Sequence, residues 1–217
     1  MRTTLSNYKL KKISIEAYKN GLRLHFDSIL LFRSQSYPSA FQLSVLALEE
    51  FSKSYSVEHY YYSKKINRNP ADSQFEQQWL NLLYLHPRKQ KAFFGWGLAF
   101  DYKNSFIEMI ERGELEMQKQ KATYVGLHKR RRIIDINGRI SLPTQISGPS
   151  AKKMISLLND YLIDQHEMKN FHGFHFDVPE KDALLTSALY QQLKEWKHKS
   201  GLRKVPNFGS RLRQRHK

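Results

Sequence analysis

The stretch from Tyr37 to Lys53, YPSAFQLSVLALEEFSK, decides the fold class of this chain. Pro38 stands where proline suits the first turn of a helix. Apolar residues then cover nearly every side of the helical wheel: Phe41, Val45, Leu48 and Phe51 on one flank, and Leu43, Leu46 and Ala47 on another. A helix that is apolar all round is a central, buried one. We therefore predict a mainly α protein built around a helix over roughly 38–66.

Helical spacing extends outward from this stretch in both directions. The predicted further helices cover about 13–34, 73–85, 88–113, 150–167 and 180–198, with Pro87 interrupting or restarting the third. The segment 122–142 differs, because its Thr, Tyr, Val and Ile residues favour strands and Asn137-Gly138 is a tight-turn signal. We predict a short β-hairpin or extended insertion over about 122–143. We expect one helical domain over 1–200 and a loose basic tail over 201–217.

The composition favours an acidic or polyanionic partner. The chain has 217 residues with 36 Lys and Arg against 20 Asp and Glu, a formal net charge of +16. Such a charge suits RNA, DNA, the ribosome or an acidic protein, although a solvated basic surface would also account for it. Candidate RNA-binding residues are the run Lys129, Arg130, Arg131 and Arg132. The absence of cysteine fits a reducing cytoplasm, and no apolar run is long enough to predict a membrane span.

Two charged residues interrupt an apolar face of the central helix. Leu43, Leu46, Glu50, Lys53 and Val57 are spaced 3, 4, 3 and 4 residues apart, so they share one side. A buried charge is costly unless it is paired and hydrogen-bonded. Glu50 and Lys53 therefore either form an ion pair that fixes packing or serve a site.

The next helix shows a similar pattern, in which His86 and Lys89 fall on the face of Phe75, Trp79, Leu82 and Phe93. If the helix continues through Pro87, His86 and Lys89 meet Glu50 and Lys53 across the bundle. A carboxylate, an imidazole and two amines can handle protons and phosphate oxygens. The alternative for His86 is an ordinary core or cap histidine.

The sequence indicates neither a metal site nor a cofactor. His166, His172 and His175 lie near Asp164, Glu167 and Asp177 in the chain, but nothing makes them converge as zinc ligands must. The chain has no phosphate loop, dinucleotide fingerprint or nucleophile elbow. We therefore expect a metal-independent protein without a cofactor.

The order of several short motifs resembles the AbiV branch of HEPN domains. The likeness runs from about Ile15 to Leu158, most of the chain. It is carried by Asn20, Asp27-Ser28, Tyr37-Pro38-Ser39-Ala40, Glu49-Glu50-Phe51-Ser52-Lys53, His86 to Lys89, Lys121, Tyr124, Val125 and Pro143. Asn20, Asp27, Glu49 and Tyr124 are the residues singled out by the family motifs alone.

The resemblance implies an antiparallel helical bundle that commonly dimerises and belongs to antiphage defence. Many HEPN domains are metal-independent ribonucleases, and AbiV-type proteins are linked to abortive infection, often through blocked protein synthesis. Pro87 departs from the family's His-x-x-Lys match. Many HEPN nucleases also carry an Arg, four to six residues and a His on a late helix. Here the only such pair near the end is Arg211 and His216, which we take as a weaker catalytic alternative to a plain basic tail.

Two functions follow as expectations. The first is an RNA-directed toxin in which Glu50, Lys53, His86 and Lys89 are catalytic. The second is a non-catalytic, homodimeric protein that binds the translation machinery or a phage protein through its basic surfaces. A phage-encoded protein is also the expected activator, since a lethal protein must be silent in healthy cells. A DNA-binding regulator is the weakest reading, because no helix-turn-helix is recognisable.

Overall fold

The computed structural model describes residues 4–67, 73–95, 101–127, 129–130 and 133–205. Arg131, Arg132, Arg211 and His216 lie outside these residues, and for Lys129 and Arg130 the backbone alone is described. The helices are α1 Asn7–Arg33, α2 Tyr37–Asn67, α3 Ser73–Leu82, α4 His86–Gly95, α5 Asn104–Glu111, α6 Glu114–Lys121, α7 Gly148–His172, α8 Pro179–Asp182 and α9 Ser187–Lys194. The mainly α fold class is thus confirmed. Within the described part of the chain, no helix has the length and apolar character needed to cross a bilayer.

The central position predicted for α2 is confirmed. Val45, Ala47 and Leu48 are completely buried, and the helix packs against α1, α4 and α7. The helix α7 supplies the other half of the core, because Leu157 and Leu158 are also completely buried on it. The core therefore lies between α1, α2 and α7, with the shorter helices arranged around them.

A close helix–helix approach holds α1 against α2. A Cβ atom added at Gly21 would lie 2.7 Å from Cε1 of Phe51. The Phe51 ring is itself buried and makes an edge contact with Tyr18, with the ring centroids 5.3 Å apart. Glycine is thus required at position 21 because a side chain there would overlap a ring that has little room to move.

We expect the substitution Gly21→Ala to lower the free energy of unfolding by up to about 2 kcal/mol. Overpacking a filled core costs about 1–3 kcal/mol, and the better helix propensity of alanine offsets about 1 kcal/mol of it. Urea denaturation of both proteins measures the difference. Gly126→Ala is a control for the added methyl group, because nothing in the described part of the chain lies within 4 Å of a Cβ at that position. A stabilised Gly21→Ala protein would show that α1 and α2 are not in close contact there.

The chain breaks between α3 and α4, so the helix does not continue through Pro87. Residues 83–85 form a turn, in which the Leu85 N–H donates to Leu82 O at 3.2 Å. His86 begins the new helix, and Pro87 lies in its first turn, where a missing N–H costs nothing. The predicted restart of the helix at Pro87 is therefore confirmed, and it places His86 at the start of α4. The conditional case of a helix that runs through Pro87 does not occur.

Among its described residues, the predicted insertion contains four short antiparallel strands: β1 Gly126–Leu127, β2 Lys129–Arg130, β3 Ile133–Ile134 and β4 Ile140–Ser141. Strand β1 pairs with β4, and β2 pairs with β3. Asn137 and Gly138 form the predicted turn between β3 and β4, because the Gly138 N–H donates to Asp135 O at 3.1 Å. The apolar residues that this region leaves exposed are Tyr124, Val125, Leu127, Ile134, Ile136, Ile140 and Leu142.

The C-terminal part differs from the single helix expected over 180–198. Two helices, α8 and α9, replace it, since the Thr186 side chain accepts the Leu189 N–H and caps a separate helix. A buried ion pair, Lys181 Nζ to Glu58 Oε2 at 2.5 Å, holds α8 on α2. Farther along, the Arg203 guanidinium lies 2.6 Å from Asp164 Oδ2, so the first residues of the predicted basic tail are attached to the bundle.

Candidate functional site

A carboxylate in the interior of the bundle forms the centre of the candidate site. Glu49, on α2, is only 1% exposed. Its Oε2 atom lies 2.5 Å from Nδ1 of His86 and 3.4 Å from Nζ of Lys89. Its Oε1 atom accepts from Nζ of Lys119 and from Nε2 of Gln90, both at 2.9 Å. Three helices, α2, α4 and α6, thus meet at one side chain.

A second carboxylate shares two of these donors. Glu116 Oε2 accepts from Gln90 Nε2 at 2.8 Å and lies 2.7 Å from Lys119 Nζ. Gln90 and Lys119 therefore bridge Glu116 and Glu49, and both are buried. Two carboxylates and two ammonium groups balance in charge, which is what makes such a polar cluster tolerable inside a protein.

The cluster keeps Glu49 ionised. Burial alone would raise the pKa of Glu49, because a charged carboxylate is poorly solvated there. Hydrogen bonds from Lys119, His86 and Gln90 outweigh burial, so the pKa of Glu49 lies below its ordinary value. A fixed negative charge therefore faces Nδ1 of His86.

His86 connects this buried charge with the surface, since its side chain is 48% exposed. Nδ1 of His86 is hydrogen-bonded to Glu49, and no described residue hydrogen-bonds to Nε2. A carboxylate on Nδ1 fixes the orientation of the ring and leaves Nε2 as the ring nitrogen that can exchange a proton at the surface. The arrangement can therefore accept a proton at the surface and return it.

The structure places two of the predicted catalytic residues at this cluster and two beside it. His86 and Lys89 bind Glu49, whereas Glu50 binds Lys53, with Oε1 and Nζ 2.6 Å apart. The expectation that Glu50 is the carboxylate facing His86 is wrong, because Glu49 points toward α4. Lys53 still lies one helical turn beyond Glu49 on the same face of α2, and its side chain is 21% exposed.

Sequence reasoning missed Gln90, Glu116 and Lys119. Lys119 carried a signal, since Leu115, Lys119 and Ala122 are spaced 4 and 3 residues apart and are all buried. That spacing marks a lysine on an apolar helix face, as it did for Glu50 and Lys53. No helix was predicted over 114–121, so this spacing was not used to identify Lys119.

The remaining family-motif residues lie away from Glu49 or at the surface. Asn20 and Asp27 both bind Arg23 on α1: Asn20 Oδ1 accepts from Nη2 at 2.9 Å, and Asp27 Oδ2 accepts from Nη1 at 2.9 Å. Tyr124 is exposed just before β1. Asn20, Asp27 and Tyr124 are therefore not part of the described Glu49 cluster.

Comparison with known proteins identifies the family to which the chain belongs. The HEPN_AbiV family model, described as AbiV, matches residues 9–164, well over half of the chain. The matched region includes every residue of the Glu49 cluster. No curated protein and no solved structure matches the chain. On the family match, the chain belongs to the AbiV family of HEPN proteins.

Proposed function

We propose that this protein is an antiphage abortive-infection protein that arrests the infected cell by acting on RNA and so blocking translation. The family match supports the abortive-infection, HEPN-type role. The observation that supports an action on RNA is the half-exposed His86, whose Nδ1 lies 2.5 Å from the buried Glu49. A carboxylate-oriented imidazole at a surface is suited to general acid–base catalysis.

In the proposed reaction RNA supplies its own nucleophile, so no metal is required. His86 Nε2 takes the proton of a 2′-hydroxyl, and that oxygen attacks the adjacent phosphorus. The bond from phosphorus to the 5′-oxygen breaks, the leaving oxygen takes a proton from solvent, and a 2′,3′-cyclic phosphate remains. In this proposal Lys53, which is paired with Glu50 at 2.6 Å, stabilises the phosphate charge, whereas the buried Lys89 acts on Glu49, 3.4 Å away.

We expect His86→Ala to abolish toxicity and RNA cleavage while the protein stays folded. General acid–base groups contribute about 10²–10⁴-fold to a rate. Total RNA integrity and protein synthesis are measured in cells that express either protein, with and without phage. His59→Ala, at an exposed histidine of α2, is the matched control and should behave as wild type. Full toxicity of His86→Ala, with circular dichroism unchanged, would rule out the catalytic role.

A second candidate is a non-catalytic, dimeric interaction protein that binds a phage protein or the translation machinery. The observation that favours it is the exposed apolar surface around β1–β4, where Ile136 is 78% exposed. Exposed apolar residues clustered in one short segment are typical of an interaction site. The neighbouring basic run, Lys129 to Arg132, suits an RNA or acidic partner.

The two candidates predict opposite rankings of the same variants. For the interaction protein, replacing Arg130, Arg131 and Arg132 with glutamine should impair function more than His86→Ala does. Binding should also weaken steeply with salt, and no RNA fragments should accumulate. For the nuclease, His86→Ala should be the more damaging change, and fragments should disappear with it.

A further inference from the structure

The turn that precedes His86 exposes an aromatic ring. Tyr84 is 73% exposed and lies two residues before His86, so the two Cα atoms are at most about 7.6 Å apart. The turn itself is held in place, since Leu83 is buried and the Tyr84 N–H donates to Asn81 O at 3.2 Å. A fixed turn thus presents an open ring face beside the candidate acid–base group.

The same turn passes over the part of α2 that carries Lys53. Leu83 packs in a cluster with Val57, and His86 binds Glu49. Lys53 lies four residues from each on the same face of α2, and the distance between residues 49 and 57 along the axis is about 12 Å. Tyr84, Lys53 and His86 therefore belong to one stretch of surface.

The chain segment that forms the turn and the start of α4 carries basic charge, whereas on α2 the neighbouring Lys53 is paired with Glu50 at 2.6 Å. From Asn81 to Lys91 the chain contains no acidic residue, and Arg88 and Lys91 are exposed on α4. Arg88 and Lys91 are three residues apart, so they share one side of the helix. An open aromatic ring among exposed cations is how proteins bind single-stranded nucleic acid, since the ring stacks on a base and the cations bind phosphates.

We propose that Tyr84 stacks on an unpaired base of single-stranded RNA and thereby places the adjoining 2′-hydroxyl at His86, with Lys53 and Arg88 binding the backbone phosphates. This inference rests on the proposed function and adds the form of the substrate, an RNA with an unpaired base. RNA fits the turn better than a protein partner does, because exposed Arg88 and Lys91 follow the aromatic ring in the chain and the ring is adjacent to the acid–base group.

Binding is measured in the His86→Ala background, so that cleavage cannot interfere, by the fluorescence anisotropy of a short fluorescein-labelled single-stranded RNA. Tyr84→Ala should weaken binding by about tenfold, since the loss of one stacked base is worth that much or more. Tyr84→Phe, which keeps the ring, should bind as tightly as the parent. Tyr8→Ala, at a tyrosine that is 69% exposed on α1, is the matched control and should have no effect.

Two further RNAs identify the base as the group that Tyr84 contacts. With an RNA of abasic residues, or with a fully paired duplex, Tyr84→Ala and the parent should bind equally. Equal affinity of the two proteins for single-stranded RNA, or no RNA binding by the parent, would overturn the proposal. The proposal would also be overturned if Tyr84→Phe bound RNA as weakly as Tyr84→Ala does, because the hydroxyl and not the ring would then make the contact.

The proposal and the proposed nuclease function can fail separately. RNA cleavage that depends on His86 but is unchanged by Tyr84→Ala would remove the role of Tyr84 and leave the nuclease. Binding that depends on the Tyr84 ring, in a protein that never cleaves RNA, would retain the stacking site and remove the reaction.

Discussion

Replacing Glu49 with alanine should lower the free energy of unfolding by about 3–5 kcal/mol. The substitution removes the acceptor of Lys119, Gln90 and His86 and the ion-pair partner of Lys89. Glu116 then remains as the single described carboxylate for two buried ammonium groups. Breaking a buried pair by removing one partner costs about 3–5 kcal/mol, because an uncompensated charge is left behind.

Urea denaturation followed by circular dichroism measures this effect, and the neighbouring residue supplies the control. Glu50 lies on the same helix and binds Lys53, whose side chain is 21% exposed and can return to water. Glu50→Ala should therefore cost less than Glu49→Ala, about 1–2 kcal/mol, because only one partner is lost and Lys53 can be re-solvated. Equal losses in the two variants would show that Glu49 is not the centre of a buried network.

Glutamine variants at the same two positions separate the effect on stability from the effect on the proposed reaction. Glu49→Gln keeps the shape of the side chain but removes the charge that faces Nδ1 of His86. If His86 works as an oriented base, Glu49→Gln should lose activity at a temperature where the protein is still folded, and Glu50→Gln should not. The carboxylate of Glu49 would then have a use beyond holding three helices together.

The helices could be predicted from the sequence to the extent that apolar periodicity determines them. The central helix α2 was predicted within a residue at each end, because its apolar residues leave no polar side and Pro38 marks its start. The end of α3 was predicted at residue 85, but the helix ends at Leu82, since the turn at 83–85 contains neither glycine nor proline to mark it. There the break follows from Pro87, which suits the first turn of a new helix and not the interior of an old one.

The site carboxylate was misplaced by one residue for a geometric reason. Glu49 and Glu50 are adjacent, about 100° apart on the helix, and α2 is apolar on both sides of that pair. Periodicity alone cannot choose between them. The partner that decides is Lys119, 70 residues away in the chain, and it comes from α6, a short and predominantly polar helix that was not predicted. Contacts of this kind, between elements that lie far apart in the chain, can be identified only once the fold is known.

Lowering the pH from 7 to about 4.5 should reduce the free energy of unfolding by about 2–3 kcal/mol through His25 alone. His25 is completely buried on α1, and burial lowers its pKa from 6.5 to about 4, since a charged imidazole is poorly solvated there. Its one described hydrogen bond, between Nε2 and Asn159 Oδ1 at 3.4 Å, offsets little of this. In the described structure its Nδ1 atom has no partner.

The direction of this change in the free energy of unfolding follows from proton uptake by His25. Below pH 6.5 the unfolded chain protonates His25 while the folded chain does not, so acid favours unfolding, and the stability present above pH 6.5 is lost as the pH falls toward 4. One pKa unit corresponds to about 1.4 kcal/mol. Urea denaturation at several pH values between about 7 and 4.5 measures the slope, above the range in which Glu49, with its lowered pKa, takes up a proton.

The variant His25→Gln should flatten this slope, because a glutamine cannot take up the proton. A residual slope is expected from His175, whose pKa burial also lowers to about 4. If His25→Gln and the wild type have parallel curves, His25 is charged or hydrated in the folded protein. The α1–α7 contact around Asn159 would then be open to water, and a buried site for an uncharged histidine would not exist.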